Sequence, residues 1–190
     1  MSVHTIGRDA LVGVSEWFVN RWSPRAFSGE PVAEDVLARA MEAARWAPSA
    51  FNEQPWCFYT STDETFNDYL GLLVESNQAW CKDASVIGFL VGRKHFTHNG
   101  NANGTYVLDC GAAWMSMALQ LRLEGLYSHG LAGIQHQAVA DYLQLNSDEE
   151  QVLMGFAIGH IAAPDKLPPV LQEREKPSPR KPLTEIWRQS

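Results

Sequence analysis

In the segment Arg21-Trp22-Ser23-Pro24-Arg25, two guanidiniums flank a hydroxyl within five residues. Arginine meets phosphate oxygens through paired N–H groups and serine adds a donor, so this turn has the makings of a compact anion cradle. A solvated helix end, where arginine is favoured by the macrodipole, would have the same composition. A second stretch, Pro48-Ser-Ala-Phe-Asn52-Glu-Gln54-Pro-Trp56, sets amides on a backbone stiffened by two prolines. Asn and Gln side chains match the alternating C=O and N–H edge of a flat heterocycle, while a helix end followed by a tight turn is the plainer reading. Asn77 offers a further amide shortly before an apolar run, or an Asx turn. Ser178-Pro-Arg180-Lys181 places two cations near the C-terminus, where simple solvation also accounts for them. What favours a binding site is that these basic and amide-rich clusters occur together in an acidic chain.

Other chemistries lack their signatures. Neither G-x-G-x-x-G nor G-x-x-x-x-G-K-[ST] is present, so no dinucleotide or P-loop unit is indicated. There is no G-x-S-x-G elbow. His95 and His98 sit in a Gly/Asn-rich segment without a third ligand nearby, which reads as solvated histidines and no metal centre. Cys57, Cys81 and Cys110 are odd in number and widely spaced, so no disulfide framework is expected.

The formal net charge of −7 opposes extended contact with nucleic acid or an anionic membrane, which need a basic field. It leaves room for one small anion in a locally basic pocket. Met1 to Ala10 lacks the basic start and apolar run of a secretory signal, and no apolar stretch reaches membrane-spanning length. With 45% hydrophobic and 19% charged residues, the chain reads as one globular cytoplasmic domain over 1–190.

The elements that must position these residues follow from periodicity. Helices are expected over 15–22, 32–47, 65–76, 106–125 and 138–145, and strands over 56–61, 84–92 and 151–162. Ser15 is the expected cap of the first helix. The segment 93–105 is polar and reads as a mobile loop, and 126–135 as a turn through glycines. The helix over 106–125 is apolar nearly all the way round, so it should be central and buried. Residues 164–190 hold Pro164, Pro168, Pro169, Pro177, Pro179 and Pro182, six of the ten prolines, and end in Leu183, Ile186 and Trp187. An extended tail from about 163, docked on another surface, is the expectation.

Taken in order, these pieces resemble the FMN-dependent nitroreductase family. The likeness rests on Arg21-Trp-Ser23-Pro-Arg25, on A-R-W-A-P-S-A-F-N-E-Q-P-W, on Asn77, on the helix from Tyr106, on G-L-A-G-I-Q and on S-P-R-K-P-L. It spans about residues 15–187. It implies an α+β nitroreductase-like fold, with a mainly antiparallel sheet flanked by helices. It also implies an interlocked homodimer whose tail wraps the partner subunit, with FMN in clefts at the interface. By this resemblance Arg21, Ser23, Arg180 and Lys181 hold the FMN phosphate and Arg25 and Asn77 face the ring or ribityl chain, with Trp22 and Gln135 counted among the cofactor-binding residues. Pro48, Ser49, Ala50, Asn52 and Gln54 would approach from the partner. No protein nucleophile is implied: the redox chemistry is the flavin's, tuned by Arg25, with NADH or NADPH as co-substrate and a nitroaromatic, quinone or similar flat electrophile as acceptor. A dehalogenase, ring oxidase or flavin-degrading enzyme on the same fold, or a non-catalytic flavin-binding dimer, is the alternative. Trp22 stands where the family often carries a polar residue, and Gln137-Ala138 where it often has Gly-Gly.

Overall fold

The computed structural model describes Arg8 and residues 10–189. In chain order the elements are α1 (Glu16–Asn20), α2 (Glu34–Arg45), β1 (Trp56–Thr60), α3 (Phe66–Gly71), α4 (Glu75–Cys81), β2 (Val86–Arg93), α5 (Tyr106–Leu123), β3 (Tyr127–Leu131), α6 (His136–Tyr142), β4 (Glu150–Gly159), α7 (Pro169–Gln172) and α8 (Leu183–Ile186). The four strands form one antiparallel sheet in the order β1-β2-β4-β3, so the fold is α+β.

Alternation along β2 explains the two layers around that sheet. Ile87, Phe89 and Val91 turn to one face, where they meet Tyr69, Leu73, Trp80 and Val139 from α3, α4 and α6 and their connections. On the opposite face, Ala40 and Ala44 of α2 pack with Ala113, Met117 and Leu121 of α5, against Val86, Phe156 and Ile158. Glycine on the β2 side of this layer lets α5 come close. A Cβ at Gly92 would stand 2.7 Å from Tyr106 Cδ2 and 3.2 Å from Cys110 Sγ. Phe27 is fully buried, and a side chain of that size contributes about 1.5–3 kcal/mol when taken from water. It anchors the chain just after the Arg21–Arg25 turn, where Phe27 bridges Ile161 beyond β4.

Several expectations need correction. The helix expected over 65–76 is two helices, α3 and α4, broken at Leu72–Val74. Leu73 is pulled into a bridge with Ile134, and the backbone N–H of Val74 donates to the Gly133 carbonyl. Those partners lie about sixty residues away in sequence, beyond any local pattern. The segment read as glycine turns contains β3, which completes the sheet against β4 from Tyr127↔Gly159 to Leu131↔Gly155. Ser15 makes no side-chain capping bond. In this chain α5 is only partly buried, and Val107, Leu108 and Leu123 are exposed. The segment 93–105 folds back on itself through a His95↔Ala102 bridge and a Phe96 N–H bond to the Asn101 carbonyl.

The tail packs in part on its own chain: Leu167 is buried, and the Glu175 carboxylate accepts the backbone N–H groups of Arg25 and Ala26 at 2.6 and 2.8 Å. Leu167 is its one buried residue among those described, and Val170, Leu183, Ile186 and Trp187 are exposed. Among the described residues no helix is long and apolar enough to cross a membrane, and no group of three or more His, Cys, Asp or Glu converges as a metal site.

Candidate functional site

Arg21 terminates α1 with an extended backbone, and the next residues run along the end of the sheet beside β3. The Trp22 ring meets Tyr127 edge-on at 6.1 Å, and Arg122 covers Tyr127 at 3.8 Å. The backbone of Arg25 is held by Glu175, while its guanidinium stands 3.9 Å from the second Glu175 oxygen. From the tail, Arg180 Nη1 donates to the carbonyl and hydroxyl of Ser178.

These segments enclose a cavity of about 370 Å³ lined by Arg8, Arg21, Trp22, Ser23, Arg25, His129, Arg174, Lys176, Ser178 and Arg180. A second cavity of about 500 Å³ shares Arg21, Ser23 and Arg180 with it and continues past Phe18, Trp114, Met115 and Gly130. The site is thus a cation-lined end joined to a more apolar cleft along α5 and β3. Burial, with Arg180 and Arg8 nearby, pushes the Arg21 guanidinium below its ordinary value. Mutual repulsion of this kind is relieved when an anion enters.

The amide-rich stretch lies elsewhere in the chain. None of Pro48, Ser49, Ala50, Asn52 or Gln54 lines either cavity. They form a wall at the start of α5, where the Ala50 N–H donates to Asp109 at 3.2 Å and the Gln54 N–H to the Ser49 hydroxyl at 2.9 Å. Glu53 fastens the wall to the 93–105 segment by accepting from Thr97 N–H and hydroxyl. Phe51, Asn52 and Gln54 all have left-handed backbones, with φ of 53°, 56° and 52°. Each such residue costs roughly 1–2 kcal/mol, and this strain is concentrated in a segment with exposed Phe51 and Asn52.

Asn77 and Gln135 serve the same break in the fold. Asn77 Nδ2 donates to the Gly133 carbonyl, and Gln135 Nε2 to the carbonyls of Gly71 and Leu73. Lys181 is turned outward: its side chain is 76% exposed and pairs with Glu185 at 3.5 Å, so of the tail pair only Arg180 reaches the cavity. Of the loop histidines, His95 pairs with Glu149 at 2.9 Å and His98 lies 3.8 Å from Glu53.

Comparison with known proteins decides the family. The nitroreductase family model matches residues 19–79, which include both the cradle and the wall. A solved FMN-containing oxidoreductase is 40% identical, with a TM-score of 0.92 over 96% of this chain and 94% of its own. The chain belongs to the nitroreductase family. A nitroreductase family protein from Streptococcus pneumoniae shares the fold at a TM-score of 0.74 and 20% identity, over 92% of this chain and 98% of that one. A CLA biosynthesis enone reductase of Lactiplantibacillus plantarum is 25% identical over 180 residues, covering 75% of this chain and 83% of that protein.

This nitroreductase-family site contains residues that sequence reasoning missed: Arg8, His129, Arg174 and Lys176 line the cavity, and Glu175 organises it. No motif marks them, because each lies on a different segment and convergence is their only shared property. His129 is the most perturbed. Its Nδ1 donates to the Pro24 carbonyl at 2.8 Å and its ring lies 4.8 Å from Trp80. Burial, with help from Arg25 and Arg21, pushes it from 6.5 down to about 4. Because the folded value is depressed, neutral His129 stabilises the fold above pH 6.5, and that stability is lost as pH falls toward 4. The loss at pH 5 is about 2 kcal/mol. Thermal unfolding at pH 7 and pH 5 should therefore show a larger drop for the native protein than for His129→Gln. Equal drops would show that His129 does not carry this dependence.

Proposed function

We propose that this protein is an FMN-dependent oxidoreductase that passes hydride from NADH or NADPH to a small, flat electrophilic acceptor. The observation that carries the reading is the continuity of the cation-lined cavity with the cleft past Trp114, Met115 and Gly130. FMN joins a dianionic phosphate to a planar ring, and the donor set fits both ends. Arg21, Ser23 and Arg180 would hold the phosphate, and the cleft would take the ring. The 40% identical oxidoreductase contains FMN, which supports the assignment. When bound, FMN supplies the two-electron chemistry, accepting hydride from the nicotinamide and returning it to the acceptor. The protein binds, orients and excludes water. The acceptor class is nitroaromatics and quinones, and likeness to an enone reductase adds conjugated enones.

The working unit is proposed to be a homodimer. The wall from Pro48 to Gln54 stands apart from the cavities of its own chain, while α5 exposes Val107, Leu108 and Leu123. A second copy covering those residues would bring its wall toward the cleft. The decisive experiment is the visible spectrum of the purified protein, followed by NAD(P)H oxidation with menadione, nitrofurazone and an enone. A yellow protein with acceptor-dependent turnover is expected. A colourless protein that takes up no FMN at micromolar concentration overturns the reading.

Arg25 supplies a sharper test. Two-electron reduction of a flavin leaves negative charge at one edge of its ring, and a fixed cation there stabilises the reduced form more than the oxidised one. Arg25 lines the cation-lined cavity, with Glu175 accepting from its backbone and standing 3.9 Å from its guanidinium, so the potential reads whether its charge reaches the ring edge. Flavin-loaded Arg25→Ala should have a midpoint potential lower by roughly 40 mV, equivalent to about 2 kcal/mol over two electrons. An unchanged potential in a dye-coupled titration would place Arg25 at the phosphate or in a structural role.

A further inference from the structure

Arg8 lies outside every motif that marks the family, yet its guanidinium is the hub of the cation-lined cavity. Nε donates to the Ser178 carbonyl at 3.0 Å, and Nη1 to the carbonyls of Val19 and Arg21 at 2.7 and 2.9 Å. One side chain thus ties the end of α1 to the tail. Its remaining nitrogen, Nη2, is buried and has no hydrogen-bond partner among the described residues. Guanidinium donors with no partner are rare in a folded protein, because the lost hydration goes uncompensated. This one also shares the cavity with Arg21, Arg25 and Arg180. The Glu175 carboxylate has no hydrogen bond to Arg8: its Oε1 accepts the backbone N–H groups of Arg25 and Ala26, and its Oε2 stands 3.9 Å from the Arg25 guanidinium. A cation that only strapped carbonyls together would gain nothing from lying among like charges. An anion bound against Nη2 would satisfy the donor and offset the repulsion at once.

We propose that Arg8 is a phosphate ligand: Nη2 donates to a terminal oxygen of a phosphate monoester, beside Arg21, Ser23 and Arg180, and the bound dianion fastens α1 and the tail around itself. That the phosphate belongs to FMN rests on the functional reading above; the anion chemistry rests on Arg8 and its neighbours alone. Two consequences follow. Recognition of a phosphorylated over an unphosphorylated flavin depends on a residue from the segment preceding α1. Ligand binding also protects the tail, where the Arg174–Glu175 and Arg180–Lys181 bonds are open to trypsin whereas Lys176 and Lys181 precede proline.

The test uses the full chain stripped of flavin. FMN and riboflavin are titrated by flavin fluorescence, and tryptic cleavage after Arg174 and Arg180 is followed with FMN, riboflavin or inorganic phosphate present. Arg8→Ala should raise the FMN Kd about ten- to a hundredfold, as for loss of a charge-assisted bond, and change riboflavin by less than about threefold. FMN and phosphate should slow tail cleavage in the native protein and not in the variant. Arg8→Gln retains a donor for the carbonyls and keeps the result readable if Arg8→Ala does not fold. Equal losses for FMN and riboflavin, or an unchanged FMN Kd, would overturn the proposal and leave Arg8 as a strut. If the native protein bound neither flavin, the functional reading would fall separately. Phosphate protection of the tail that is lost in Arg8→Gln would then still support the anion site, and its absence in the native protein would overturn it.

Discussion

Deleting residues 164–190 should yield protein that aggregates or purifies without flavin. Leu167 fills the core beside Leu171, and its loss leaves a cavity of the kind that costs about 2–5 kcal/mol for a Leu→Ala change. Glu175, whose side chain is 2% exposed, leaves with it, which strips the Arg25 and Ala26 N–H groups of their acceptor. Each amide left unpaired adds roughly 1–3 kcal/mol. These losses together approach the whole stability of a typical domain, which is about 5–15 kcal/mol. Arg174, Lys176, Ser178 and Arg180 vanish from the cavity at the same time. The exposed end, Leu183, Ile186 and Trp187, is the part left to meet a second copy, and obligate interfaces bury about 2,000–5,000 Å². Removing only 182–190 should therefore weaken the proposed dimer and spare the cradle. Size-exclusion chromatography with light scattering and a visible spectrum reads both truncations. A soluble 1–163 monomer that kept its flavin would refute the expectation.

For Arg21→Ala the expected result is a ten- to hundredfold loss of FMN affinity with riboflavin much less affected. Arg21 is shared by both cavities and lies where the phosphate end joins the cleft. In the proposed site its bond to a phosphate oxygen would be charge-assisted and worth about 1.5–3 kcal/mol, which sets the magnitude. Removing it also relieves repulsion among the remaining cations, so the lower part of the range applies if that relief is large. Isothermal titration with both ligands measures the difference. Equal losses for the two flavins would show that Arg21 does not bind phosphate.

Local chemistry in the sequence was enough to identify the family and to pick out the arginine turn and the amide-rich wall, because each is complete within about ten residues. Strands β1, β2 and β4 were legible for a similar reason: β2 and β4 are apolar runs whose burial is written into composition, and β1 is an aromatic, β-prone run. By contrast β3, with His129 and Gly130 in its interior, has no strong pattern and is a strand only because the edge of β4 pairs with it. The break between α3 and α4 was hidden in the same way, since the Leu73–Ile134 bridge that takes Leu73 out of the helix joins distant segments. Tertiary structure alone decided which cations form the site. Arg8, Arg174 and Lys176 carry no motif, and Arg180 and Lys181 are indistinguishable in sequence until the docked tail puts Arg180 at the rim of the cavity and leaves Lys181 paired with Glu185. Charge convergence is a property of the packed chain, because repulsion among those cations is overcome only by the hydrophobic and backbone contacts that hold their segments together.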